Sequence, residues 1–488
     1  PDNGRDKNRI GGITLADGTA FGGTAEGEPL YRYYGYVVDH IIETQEQADN
    51  AMYDSSAKGY RPSDGKNIAG RKEIGDYEWK NREGSQTKDG KDYIDSKGEL
   101  RHQYFSYIEE LSDGNTRSSI NESYSYGFEF SSLYSGNANE RYVIVLYVLS
   151  GSPADEAGLT RGDWIMKIND AAVTDTNIAS LLGNGACSLT IAKWDPESKK
   201  LVVQSKKIDM PSARQVEDDP VYTWNIVESP VQKKRVGYLL YNHFTTGKSD
   251  EDTSYDDHLR TLSDSYFKGV NEFVLDLRYN NGGILSSGIL LCTILQPENR
   301  VGSKLGHLQY NDKQKNRTRD FYTSKEVLGS TGKNLNLETL YVLVSSSTAS
   351  ASEMVINSLR PFMNVVVIGE TTVGKNVGSL EYTSNDKKWE MHPIVCQIYN
   401  SANFTDYADG IEPDVELDER GEIVKPNTIA IGQIFPLGDP NERLFKAAID
   451  LIDGTTTISR SLNTPTVTYK KAPFNSIDRK ATGSVVIN

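Results

Sequence analysis

Cysteine is scarce: the 488 residues contain three, too few for the disulfide framework that staples small secreted domains. Cys187, Cys292 and Cys396 lie in Gly-Ala-Cys-Ser-Leu, Leu-Leu-Cys-Thr-Ile and Ile-Val-Cys-Gln-Ile, apolar settings typical of buried free thiols. None has the electropositive or helix-start context that lowers a thiol pKa and makes a nucleophile. Cysteine usage leaves the compartment open. The six histidines, His40, His102, His243, His258, His307 and His392, never recur at His-x-x-x-His or a similar ligand spacing, which argues against a zinc peptidase, and no metal or cofactor is expected. Basic residues are outnumbered, 53 against 68 acidic, for a net charge of −15. Nucleic acid and anionic membrane surfaces are therefore not expected partners. No apolar run is long enough to span a bilayer, and the polar start Pro1-Asp2-Asn3-Gly4-Arg5-Asp6-Lys7 is no signal peptide. Either the protein is cytoplasmic or an export segment has been removed, and the start without an initiator methionine makes removal the expectation.

What the chain does contain is a serine and a lysine in suggestive settings. Ser350 lies in Ser347-Thr348-Ala349-Ser350-Ala351-Ser352-Glu353, and Lys375 ends Gly369-Glu370-Thr371-Thr372-Val373-Gly374-Lys375. A serine hydroxyl is a poor nucleophile at neutral pH and needs a base. A desolvated lysine whose pKa has fallen can be that base where no histidine serves. Leu340 to Val344 reads as a buried strand, and Ala351, Met354, Val355 and Leu359 recur at helical spacing. Ser350 is thus placed where a strand turns into a helix, whose first N–H groups are unpaired and favour developing negative charge. A plain alternative stands beside this: Ser350 with Glu353 three residues on is also a capping box.

Two further segments carry chemistry. Phe273 to Arg278 is an apolar strand running into Tyr279-Asn280-Asn281-Gly282-Gly283 and then an apolar helix from Ile284 to about Leu295. Paired glycines let backbone N–H groups approach a substrate as an oxyanion hole requires, or simply make a tight turn. Upstream, Val143 to Leu149, then Ser150-Gly151-Ser152-Pro153-Ala154-Asp155-Glu156-Ala157-Gly158-Leu159, then Arg161-Gly162-Asp163 leading into Trp164 to Ile168, give strand, short helix, Gly-Asp turn and strand.

In order and in residue type these segments resemble the C-terminal processing peptidases, or tail-specific proteases, a family of serine peptidases with a PDZ domain. The resemblance covers roughly residues 120 to 453 with four ordered motifs. It implies that Ser350 attacks, that Lys375 is the base, and that the N–H of Ala351 with one from Gly282 or Gly283 forms the oxyanion hole. Many members carry a glutamine four residues after the lysine; here that position is Ser379, so Ser379 or Asn376 would orient Lys375. The upstream segment resembles a PDZ domain of the bacterial protease type, in which Tyr126-Gly127-Phe128-Glu129-Phe130 would be the carboxylate-binding loop, with Phe128 and Phe130 flanking an apolar pocket. Taken alone, those five residues also read as an ordinary aromatic strand. His243, after the Gly237 to Tyr241 strand, is a reserve base or a structural histidine. Family members usually work outside the cytoplasm, so the periplasm or cell envelope is expected, with a lipid anchor outside this sequence as one route.

The expected fold is α+β and multidomain, since strands alternate with helices in a layered pattern. Length alone suggests about three domains. Residues 1–120 read as a Gly-rich arm to residue 30 and then a tyrosine-laden region, with a helical stretch from Tyr104 to Leu111 and a long loop over residues 58–99. The resemblance makes this region the family's helical N-terminal domain. Residues 121–210 read as the PDZ-like β-rich module, closed by strands at Ser188 to Ala192 and Leu201 to Gln204, with a linker over Pro211 to Pro220. Residues 211–455 are the Ser/Lys peptidase core, for which the resemblance implies a ClpP/crotonase-like α/β fold and which ends in Gly410-Ile411-Glu412-Pro413-Asp414 and a helix near Arg443 to Ile452. Residues 456–488 form a Thr/Ser/Asn-rich tail that adds a strand or drapes over the surface.

The function expected is cleavage of peptide bonds in protein or peptide substrates with free C-termini. Two other classes stay open: a peptide-binding relative in which Ser350 is only a cap, and acyl-transfer chemistry on a thioester, since fold does not fix function.

Overall fold

A computed structural model describes residues 122–477 apart from short stretches at 136–139, 184, 250, 311–317, 381, 384–388, 393, 426 and 456–467, together with short strands at 71–72, 93–94, 100–101, 107–110 and 485–486. The arm and nearly all of the long loop expected before residue 100 lie outside the described residues. The helix expected at Tyr104 to Leu111 is corrected: Tyr107–Glu110 is a strand, antiparallel to Trp389–His392 in a four-stranded sheet. The aromatic, β-branched content of Tyr107 and Ile108 suits strand pairing, and the partner lies far away in sequence where local periodicity carries no trace of it.

A six-stranded sheet organises the larger part of the molecule. Its order is Val221–Glu228, Arg235–Tyr241, Glu272–Asp276, Thr339–Val344, Asn364–Gly369 and Val415–Glu416. The first two strands are antiparallel; every later pair is parallel. Parallel neighbours need crossovers of a dozen or more residues. Helices Ser254–Thr261, Leu285–Leu295 and Ala351–Leu359 lie in them. Strands covered on both faces should read as continuous apolar runs, as Leu340-Tyr341-Val342-Leu343-Val344 does. Alternate residues serve opposite layers: Leu340, Val342 and Val344 pack with Leu290, Met354 and Val355 of two helices. Tyr341 and Leu343 pack with Leu444, Phe445 and Ala448 of helix Arg443–Ile452. Each such fully buried aliphatic side chain contributes about 1.5–3 kcal/mol.

The PDZ-like region has its own core of Phe128, Phe130, Val143, Val145, Ile165, Leu189 and neighbours. Its sheet does not end with it. From Lys200–Val203 the strands run through Cys187–Asp195, Trp164–Ile168, Arg141–Val148 and Phe128–Tyr134 to Tyr469–Asn475, then to Thr428–Ile431 and Gly421–Lys425. The tail therefore supplies a strand, and that strand joins the two halves of the molecule. The expected linker contains a strand too, Arg214–Glu217, antiparallel to Glu122–Ser125. A five-stranded sheet, Thr318–Tyr322, Lys304–Tyr310, Ile394–Asn400, Val377–Ser379 and Val485–Val486, covers helix Ala351–Leu359 from its far side.

Candidate active site

Ser350 sits between strand Thr339–Val344 and helix Ala351–Leu359, at the carboxyl end of the parallel strands. Its backbone is strained, with φ 61° and ψ −114°, a region in which a non-glycine residue costs on the order of 1–3 kcal/mol. The side chain is fully buried, and the Oγ makes no hydrogen bond. The segment has the arrangement of a capping box, yet only the Glu353 half carries a bond of normal geometry: the Ser350 N–H donates to Glu353 Oε2 at 2.8 Å.

Glu353 does more than cap. Its fully buried carboxylate also accepts the N–H of Lys375 at 2.7 Å, the N–H of Gly374 at 2.6 Å and the Thr372 hydroxyl at 2.5 Å. Burial pushes its carboxyl pKa upward, and these four donors oppose that rise. One carboxylate thus clamps the loop of Lys375 to the residue that carries Ser350. Lys375 itself is 3% exposed. In sequence Glu353 is legible only as a cap; the Thr-x-Gly-Lys donors that converge on it lie about twenty residues on, and only the fold brings them together.

A second turn is stitched against the first. Thr348 Oγ1 donates to Leu277 O at 2.8 Å, Asn281 Nδ2 to Ser347 O at 2.8 Å, Ser352 Oγ to Asn280 O at 3.0 Å and Ala349 N to Asn280 O at 3.1 Å. Gly282 is forced to be glycine: with φ +110°, an added Cβ would lie 2.5 Å from Ser350 Cβ and 2.9 Å from its Oγ. The N–H of Gly282 is already donated to Asn280 Oδ1 at 2.8 Å. The N–H of Gly283 is not used in its bridge to Phe244, whose bonds run from Phe244 N to Gly282 O (2.9 Å) and from Ile284 N to Phe244 O (2.8 Å). The N–H of Ala351, the first helical residue, has no intrahelical acceptor.

The remaining candidates fall on either side of this centre. Asn376 Nδ2 donates to Thr405 O at 2.5 Å, which holds the 401–410 loop. Ser379 is fully buried with an unpartnered Oγ, in strand Val377–Ser379. Both His243 nitrogens are engaged, Nδ1 with Thr245 Oγ1 at 2.8 Å and Nε2 with Asp218 O at 2.9 Å. Tyr126, Gly127, Phe128, Glu129 and Phe130 form a turn and the start of strand Phe128–Tyr134; Gly127 has φ +78°, and its carbonyl accepts Leu149 N at 2.7 Å. The rings of Phe128 and Phe130 are 5.6 Å apart and belong to the core of this module. Cys292 and Cys396 are buried free thiols and Cys187 is half-buried. Among the described residues no helix is long and apolar enough to cross a membrane.

Beneath the site Arg278 is fully buried in a charge network. It pairs with Asp276 at 2.8 Å and with Glu442 at 2.7 Å, and reaches Glu419 at 3.2 Å. Against the burial that would raise it, Arg278 holds the Glu442 carboxyl down at about 2. Glu442 also caps helix Arg443–Ile452, accepting Leu444 N and Phe445 N. Arg161, from the PDZ-like module, enters the same network through Glu419 at 2.8 Å, Tyr279 OH at 2.6 Å and Phe435 O at 2.9 Å.

Comparison with known proteins supplies the family. The model of peptidase family S41 matches residues 235–417, and a PDZ domain model matches residues 144–193. Carboxy-terminal processing protease CtpA of Bacillus subtilis (strain 168) is 27% identical over 233 residues, covering 48% of this chain and 44% of that protein. A carboxyl-terminal-processing protease of Picosynechococcus sp. is 28% identical over 235 residues, covering 48% and 50%. The chain thus spans about half the length of these curated relatives. A solved structure assigned to the S41 proteases, from Bacteroides fragilis NCTC 9343, is 35% identical with a TM-score of 0.63, and covers 72% of this chain and 87% of that one. With that likeness over most of both chains, the protein belongs to peptidase family S41 and carries a PDZ domain.

Proposed function

We propose that the protein is a serine endopeptidase of the C-terminal processing type, acting by acyl transfer through Ser350 with Lys375 as general base. The observation that carries this is the unpartnered, buried Oγ of a strained Ser350, tied through Glu353 to the Lys375 loop. A pure helix cap would spend that hydroxyl on a backbone N–H. Lys375, acting as its neutral amine, takes the Ser350 proton and later gives it to the leaving amine. The oxyanion then rests on the N–H groups of Ala351 and Gly283. Gly283 is preferred to Gly282 because the latter's N–H is already committed to Asn280. Water hydrolyses the acyl-enzyme. Ser379 or Asn376 would orient Lys375; the Asn376 amide is also tied to Thr405 O.

The parallel sheet with helices in its crossovers is consistent with a ClpP/crotonase-like core. The PDZ domain favours peptide substrates, with Tyr126 to Phe130 as the loop for a terminal carboxylate. The family resemblance, rather than any feature of the chain, suggests work in the periplasm or cell envelope.

The test is hydrolysis of β-casein by the wild type, Ser350→Ala and Lys375→Ala. Cleavage by the wild type alone, with both variants reduced at least about 10³-fold at unchanged circular dichroism, is the expected outcome. Equal cleavage by Ser350→Ala would remove the nucleophile, and no cleavage by any of the three would favour a peptide-binding relative.

A further inference from the structure

A PDZ domain takes an extended peptide by strand addition, antiparallel to the strand that follows its carboxylate loop. Here that strand is Phe128–Tyr134. One of its edges is paired with Arg141–Val148, so a peptide has a single edge left to join. That edge is occupied by the chain itself: Tyr469–Asn475 pairs with it antiparallel, Lys471 opposite Leu133 and Asn475 opposite Ser131. The segment runs toward the Tyr126 to Phe130 turn, the direction a bound C-terminus would take. Side chains complete the seat. Ser476 Oγ accepts the N–H of Phe130 at 2.7 Å and donates to Glu129 Oε2 at 2.5 Å, and Ile477 is 1% exposed.

The same segment reaches the proposed active site. Asn475 Nδ2 donates to Ser347 Oγ at 2.8 Å, three residues before Ser350. Lys471 pairs with Asp418 at 2.7 Å and with Glu370, in the loop that leads to Lys375.

We propose that residues 469–477 are an internal ligand of the PDZ domain, so that a substrate peptide can add to strand Phe128–Tyr134 only by displacing them. This rests on the carboxylate-loop reading above. It makes the edge a competitive surface: a tethered segment competes at an effective concentration in the millimolar range, which a free peptide must overcome. Release of the segment would also remove the Asn475 and Lys471 contacts beside the Ser350 and Lys375 loops, so displacement is felt at the site.

The experiment uses the full chain with Ser350→Ala, which separates binding from cleavage. The probe is a fluorescent synthetic peptide, Tyr-Lys-Lys-Ala-Pro-Phe-Asn-Ser-Ile with a free carboxylate, the sequence of residues 469–477. Ser476→Ala, which removes two hydrogen bonds, is expected to lower its Kd about tenfold. Lys471→Met, checked for folding by circular dichroism, is the second variant and should act in the same direction. Saturating peptide should speed amide exchange at Tyr469–Asn475 while Ser131–Leu133 stays protected. Equal Kd for the parent and a folded variant, including no binding by either, would overturn the proposal. So would binding that leaves 469–475 protected. Neither result would touch the peptidase reading, which stands or falls on casein.

Discussion

At the scale of single residues the site is a packing problem solved with backbone strain. Ser350 holds a positive φ, and Gly282 lies so close that its hydrogen fills the space a side chain would need. Gly282→Ala should therefore lower casein turnover by about two orders of magnitude, because displacing a nucleophile by an ångström costs that much, with little change in far-ultraviolet circular dichroism. Glu353→Gln tests the clamp differently. An amide cannot accept all four donors and turns an N–H₂ toward backbone N–H groups, so we expect about 1–3 kcal/mol of lost stability in urea unfolding and a fall in kcat. The proposed Ser350 and Lys375 pair and the Gly282–Gly283 turn could be read in the sequence because each lies in a short, ordered motif. The wider role of Glu353 was not, because its donors arrive from a different loop.

At the scale of elements, periodicity located most of what it could. Thr339–Val344, Ala351–Leu359, Leu285–Leu295 and Arg443–Ile452 all lie where apolar spacing placed them. It failed at Tyr107–Glu110, read as helix, and passed over Arg214–Glu217 in the linker. Both are short strands whose ladder partners lie far away in sequence. Helix Ser254–Thr261 carries a local conflict: Asp256 is 5% exposed with Oδ1 unpartnered. Burial raises its carboxyl to about 6, with the Ser287 hydroxyl opposing. A raised folded-state pKa means that the fold favours the neutral acid. That contribution is complete below the unfolded value near 4 and is lost as pH rises through about 6. Asp256→Asn should accordingly stabilise the protein by about 1–3 kcal/mol at pH 8 and change little at pH 4, as read by thermal melts across that range.

At the scale of the whole molecule, the PDZ domain is fixed to the peptidase core by a buried polar network as well as by the tail strand. Arg161, from one, meets Tyr279, Glu419 and Phe435 of the other, beside Arg278 and Glu442. Without Arg161, Glu419 and Glu442 are left to share the guanidinium of Arg278, and the desolvated Tyr279 hydroxyl loses a partner. Arg161→Ala should cost about 1–3 kcal/mol in denaturant unfolding and increase amide exchange at the domain boundary. A loss within 0.5 kcal/mol would mean that the domains are held by the tail strand and apolar packing alone.

The sequence by itself determined the family resemblance, the proposed nucleophile and base, the glycine turn and the identity of the buried strands, since motifs and apolar periodicity are written in neighbouring residues. Tertiary structure alone decided which glycine N–H remains uncommitted, what Glu353 clamps, how Arg161 reaches the core and where the tail lies. Those depend on contacts between residues tens to hundreds of positions apart. The tail is the clearest case: the sequence left open whether it adds a strand or drapes over the surface, and strand Tyr469–Asn475 forms where the unpaired N–H and C=O groups of Phe128–Tyr134 and Thr428–Ile431 give it partners on both sides.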